Sequence, residues 1–131
     1  MNHGDVIAAF ITAINKGDLS AMGKLMTEDH RFIDSAGTEL RGPATVCAAW
    51  RDFFFIMPDY RISIERMVTE ADVTALFGTA EGTLNLAVAN NTTRRIELPA
   101  AWKVSLRDGR IAVWQVYTDW GTVLRTASPG T

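Results

Sequence analysis

The chain is poor in the residues that most often announce a chemistry, with one cysteine and two histidines in 131 residues. A single cysteine, Cys47, excludes an internal disulfide and suits a reducing compartment. It lies in an Ala-rich helical run and reads as a buried structural thiol rather than a nucleophile. The histidines, His3 and His30, stand near no set of Cys or acidic residues at ligand spacing, so no metal site is expected. Gly37 and Gly42 read as turn glycines, not as a phosphate-binding loop after a strand, and no cofactor is expected.

Charge of one sign is also lacking. The formal charge is −2, and Arg94-Arg95 is the only adjacent Lys or Arg pair, which argues against a nucleic-acid partner. No apolar run approaches the ~20 residues of a spanning helix. The first residues include Asp5 and no basic stretch of the kind that opens a signal peptide. The expectation is a cytoplasmic protein without a membrane partner. Repeats, linkers and low-complexity tracts are missing too.

What is present is an ordinary globular composition, 47% hydrophobic and 21% charged. A chain of this length buries roughly two-thirds of its unfolded surface in one domain. That domain is expected over residues 1–125, with "TASPGT" at 126–131 as a frayed tail.

Hydrophobic spacing then orders the chain. Val6, Phe10, Ala13 and Ile14 make one helical stripe over residues 3–15. Gly17 ends it, and Asp18 is placed to cap a second helix over 19–26. A strand at 30–34 and a polar turn follow. Pro43 opens a third helix that stops before Pro58. Beyond it, residues 60–69, 73–86, 93–106 and 110–120 alternate as strands, with Asp108-Gly109 as a hairpin turn and 88–92 as a looser connection. Pro99 inside a strand implies a bulge or an edge. Helices followed by a meander predict an α+β domain: a cone-shaped, curved, mixed or antiparallel sheet wrapped around three helices of the N-terminal half. Such a sheet leaves a cavity open at one end.

In "HRFID" (30–34), alternation puts His30, Phe32 and Asp34 on one face, so a carboxylate is carried inward beside a phenylalanine. Burying it is costly unless it is hydrogen-bonded or lines a wet cavity. It can cap the turn that follows, or it can serve a site.

The stretches "AINKGDLSAM" (13–22), "FIDSAGTELRGPATV" (32–46), "MPDYRI" (57–62) and "SLRDGRIAVWQVYTDW" (105–120) resemble the nuclear-transport-factor-2-like superfamily, closest to its SnoaL-like and ketosteroid-isomerase-like branch. The resemblance covers nearly the whole chain. It implies a fold, and it allows isomerases, cyclases, epoxide hydrolases, dehydratases and non-catalytic modules alike. By that resemblance, Asp34 occupies the general-base position of a ketosteroid-isomerase-like enzyme. The two oxyanion donors of such enzymes are replaced by Phe10 and by Ala100 or Ala101, which cannot donate. Another donor must come from His30, Tyr117 or Trp102. Asp119, at the last strand's end, matches an acid of SnoaL-like cyclases and can equally be a strand-end cap or ion-pair partner. Phe77 and Thr79 stand where an epoxide hydrolase of this group carries arginine and a second aspartate, which puts that activity behind the others.

The expected site therefore has Asp34 and Asp119 as acid or base, His30 and Tyr117 as polar helpers, and Phe10, Phe32, Trp50, Phe54, Trp102 and Gln115 against the substrate. The expected ligand is a small apolar carbonyl compound undergoing cofactor-independent proton transfer. The alternative is a non-catalytic ligand-binding or dimerisation module. Resemblance to the superfamily also implies a homodimer through the sheet.

Overall fold

A computed structural model describes residues 2–85 and 93–121. The connection expected at 88–92 and the tail at 126–131 lie outside the described residues. The order is α1 (His3–Lys16), α2 (Leu19–Lys24), β1 (Met26–Ile33), β2 (Glu39–Arg41), α3 (Pro43–Ile56), β3 (Arg61–Glu70), β4 (Val73–Asn85), β5 (Thr93–Arg107) and β6 (Arg110–Thr118). The strands form one curved, unclosed sheet in the order β2-β1-β6-β5-β4-β3, with three helices. Strands β3 to β6 make the expected antiparallel meander, and β1 joins β6 in parallel, so the sheet is mixed. No described helix is long and apolar enough to cross a membrane.

Local chemistry sets the boundaries. The Asn2 side chain accepts from Asp5 N–H at 2.8 Å and starts α1; Asp18 accepts from Ala21 N–H at 3.0 Å and starts α2. The second helix is shorter than expected because Met26 pairs with Ile111 in the sheet, and strand pairing overrides helical spacing there. Pro43 occupies the first turn of α3. In the β5–β6 hairpin, Asp108 (φ 54°) and Gly109 (φ 73°) both take left-handed conformations, the pair a two-residue twisted turn demands. Gly78 on β4 is required by contact instead: a Cβ there would lie 1.9 Å from the Ser63 carbonyl oxygen. The β3 register shifts beside it, between Ile64 and Arg66.

Strand boundaries differ in part from the sequence expectation: β1 begins at Met26, four residues before the expected start. Residues 39–41, expected as turn, form β2 on β1, with Phe32 opposite Leu40. Of the two expectations for Pro99, the edge is met: it pairs with Thr79 of β4 but sits one residue beyond the last β5–β6 pair, Ala100 with Thr118, and its carbonyl accepts the Thr118 hydroxyl at 2.8 Å. The bulge of β5 falls between Ser105 and Leu106 instead.

Leu76, Ala80, Ile96, Trp102, Val104 and Trp114 fill the sheet's inner face, and Val6, Phe10 and Ile14 of α1 meet them. The Phe10 ring lies 4.9 Å from Trp114, centroid to centroid. The opposite face of the sheet is solvent-facing and carries Phe77 and Tyr117, 46% and 49% exposed. Register places Phe77 beside Ala101 and Ala101 beside Tyr117, one apolar line across three strands.

Candidate functional site

The inner face of the sheet does not close completely on the helices. A cavity of about 530 Å³ remains between α3 and the sheet. Its deep end is formed by buried Val46, Trp102 and Trp114; Ser35, Ala36 and Ile56, which reach solvent, mark its mouth. All four tryptophans of the chain, Trp50, Trp102, Trp114 and Trp120, line it.

Trp50 is the centre of the aromatic wall. Its position on the inner stripe of α3 leaves it 8% exposed, edge-on to Phe32 (5.7 Å) and Phe53 (5.9 Å). Phe53 in turn stands edge-on to Tyr60 at 4.7 Å and to Trp120 at 6.2 Å. Among the described residues, the buried Trp50 indole Nε1 has no hydrogen-bond partner. Tyr60 also lines the cavity, and burial pushes its hydroxyl far above the usual phenol range, so it stays protonated.

Among the described residues of the wall, Asp34 is the one that is acidic. It follows β1, where alternation from Phe32 turns it inward, and it organises the turn to β2. Its Oδ1 accepts from the backbone N–H groups of Ala36 and Thr38, both at 2.9 Å. Its own N–H donates to the Thr38 carbonyl at 3.0 Å, and its carbonyl accepts from Gly37 N–H at 2.9 Å. Among the described residues Oδ2 takes no hydrogen bond. The two readings of this residue are therefore compatible, since one oxygen caps the turn and the other is left over.

The remaining expected site residues separate by location. Phe32, Trp50 and Trp102 line the cavity with Asp34. Phe10 lies deeper, between Trp114 and His30, and Phe54 packs on Trp50 at 5.4 Å from outside the wall. Gln115 and Tyr117 alternate with inward Trp114 and Val116 and so face away from the cavity. Asp119 is exposed just beyond β6 and is not part of the wall. His30 is fully buried and outside the wall, with its Nδ1–H donating to the Ile111 carbonyl at 2.8 Å and, among the described residues, no partner for Nε2. Burial depresses its pKa, so the ring is neutral and in that tautomer.

Tyr60 and Trp120 are wall residues to which the sequence assigned no site role, while Phe53 and Trp114 belong to an aromatic set that the sequence reads mostly as core and in part as cavity lining. Their common signal was aromatic character, which core packing produces equally well. Phe77, one of the two epoxide-hydrolase positions, is on the outer face, and Thr79 shares its side by alternation. Among the described residues, no group of three or more His, Cys, Asp or Glu is placed to hold a metal ion.

Solved structures share this fold. A Shewanella denitrificans OS-217 protein, proposed to be a SnoaL-like polyketide cyclase, superposes with a TM-score of 0.83 at 16% identity, covering 93% of each chain. IdmH of Streptomyces antibioticus, also a proposed polyketide cyclase, gives 0.78 at 25% identity over 93% of this chain and 95% of its own. An epoxide hydrolase of the LEH-like type from Mycobacterium tuberculosis gives 0.76 at 16% identity, with 92% and 85% covered. No curated protein sequence matches the chain. The sequence model of the SnoaL-like domain matches residues 7–114, from α1 to the Trp114 of the cavity wall, and the chain belongs to that family.

Proposed function

We propose that the protein is a cofactor-independent isomerase- or cyclase-type enzyme that moves a proton on a small apolar carbonyl compound, with Asp34 as the base. The observation that carries this reading is a single carboxylate, fixed through Oδ1 and unpartnered at Oδ2, in the wall of an aromatic cavity. Oδ2 takes a proton from the carbon next to the carbonyl, the electron pair moves onto the carbonyl oxygen, and the same carboxylate returns the proton to carbon. The enolate oxygen needs a donor. Of the lining residues, Ser35 and Tyr60 carry hydroxyls, and Tyr60 is the buried one. His30, Tyr117 and Asp119 lie outside the wall and take no direct part in this reading.

The test is exchange of the α-hydrogens of 2-tetralone in D2O, followed by proton NMR. The wild-type protein should accelerate exchange, and Asp34→Asn should return it to the buffer rate with the melting temperature unchanged. An unaccelerated wild type, or an Asp34→Asn variant as fast as wild type, removes the catalytic reading.

A second reading concerns the other side of the sheet. The apolar line of Phe77, Ala101 and Tyr117 is favourable surface for pairing with a second copy, and we propose a homodimer through this face.

A further inference from the structure

The charge and ring inventory of the cavity points to a ligand class. Among the described residues, seven of the fifteen that line the cavity are aromatic, one is an aspartate, and none is Lys, Arg or His. An anionic ligand would therefore face the Asp34 carboxylate with no counter-charge among those described lining residues. A neutral ligand without an N–H or O–H would leave Oδ2 desolvated and unpaired, which is unfavourable for a charged oxygen. The polar group that fits is a donor, and a positively charged donor fits best. Its charge is met by Oδ2, and its hydrogen completes the hydrogen bonding that the turn leaves half made.

The rings add to the same preference. Aromatic faces carry the negative part of the ring quadrupole, and a desolvated cation is attracted to them, to Trp most of all. Successive wall rings stand close to perpendicular: 75° between Phe32 and Trp50, 87° between Trp50 and Phe53, and 85° between Phe53 and Tyr60. These rings therefore pack edge to face on one another, and all of them line the same cavity as Asp34.

We propose that this cavity takes a lipophilic amine in its ammonium form, the nitrogen at Asp34 Oδ2 and among the rings, the apolar body toward Trp102 and Trp114. The inference rests on reading the cavity as a ligand site, but not on proton transfer. An amine with a carbonyl group would satisfy both, and an amine without one would occupy the base and compete with substrate.

Three probes of similar size separate the possibilities: N,N-dimethylbenzylamine, its carbon isostere isobutylbenzene, and phenylacetate. Binding is followed near neutral pH through tryptophan emission, since every tryptophan of the chain lines the cavity. The amine should bind about tenfold or more tightly than isobutylbenzene, and phenylacetate more weakly than either. Asp34→Asn keeps the Oδ1 acceptor that the turn needs. It should remove about tenfold from the amine and leave isobutylbenzene unchanged. If isobutylbenzene binds as tightly as the amine, the ammonium assignment falls while the pocket stands. If Asp34→Asn leaves the amine's affinity intact, the counter-ion role falls. If none of the three binds, the ligand-site reading falls with it.

Discussion

Asn15 holds Ile62 by both of its backbone groups: Asn15 Nδ2–H donates to the Ile62 carbonyl at 3.0 Å, and Ile62 N–H donates to Asn15 Oδ1 at 2.8 Å. β3 is the terminal strand of the sheet, so at this point a helix side chain stands where a neighbouring strand would be. Replacing Asn15 with Ala strips partners from two part-buried backbone groups. The expected cost is about 2–6 kcal/mol, at about 1–3 kcal/mol per orphaned group. Urea unfolding checks it, and an effect under about 0.5 kcal/mol, the size of an ordinary surface substitution, contradicts it.

Asp34 should show different stability effects with different replacements. Asn retains an oxygen at the Oδ1 position for the Ala36 and Thr38 amides, whereas Ala removes it. Asp34→Ala is expected to destabilise by about 1–2 kcal/mol, in the range of a lost helix cap, and Asp34→Asn by much less. Thermal melts of the two variants in parallel measure the difference. Equal melting temperatures would mean that the turn does not depend on this acceptor.

His30 makes stability depend on pH in a stated direction. Its folded pKa lies below the ordinary 6.5, because burial disfavours the imidazolium. The unfolded chain therefore binds the extra proton first. Stability is full above that ordinary value and declines as pH falls from it toward the folded pKa. His30→Gln, which keeps a donor for the Ile111 carbonyl, should flatten this part of a melting-temperature profile. A profile unchanged by the substitution would assign the slope to other groups.

Asp29 sets a second, more acidic window. Its hydrogen bond to Arg107, with a further one from Thr27, holds the carboxyl at about 2, below the usual 3.8. The stabilisation it provides is present above the unfolded value and lost as pH falls from there through about 2. Because the pair is solvent-exposed, the effect is small and weakens with salt. Asp29→Asn should reduce the steepness of acid unfolding in this window, most visibly at low ionic strength.

The outer face gives an association prediction. If Phe77, Ala101 and Tyr117 meet their copies across a two-fold axis, the double substitution of Phe77 and Tyr117 to Lys places like charges on a formerly apolar line. Light scattering should then report half the wild-type mass at equal concentration, with the fold retained by circular dichroism. A wild type that is already monomeric removes the proposal.

Much of this architecture was legible before any coordinates. Pro43 and Pro58 bracket α3, and Asp108-Gly109 names its own hairpin, because these residues restrict the backbone directly. The faces of β6 were separable too, since period two sorts Trp114 and Val116 from Gln115 and Tyr117. Alternation does not say which of the two faces turns inward when both bear aromatic rings. The polar set was therefore expected at the site, and the sheet's curvature turns it away. Phe10 and Phe32 are both apolar and inward, yet one is core and the other is cavity wall, a distinction made by volume left unfilled rather than by residue type. Tyr60 went unnoticed because its importance lies in a hydroxyl brought close to α3 by the turn after Met57, whose carbonyl accepts the Tyr60 N–H at 3.2 Å.

The turn between β1 and β2 has a consequence for how such a protein can diversify. Asp34, Ser35 and Ala36 belong to this short surface segment, which is tied off by its own backbone, whereas the rings behind them belong to α3 and the sheet. On the proposed reading, the charged contact to a guest molecule and the apolar chamber behind it are therefore written in separate parts of the chain. A few substitutions in one exposed corner can change which molecules pass the threshold, while the chamber that receives them keeps its shape.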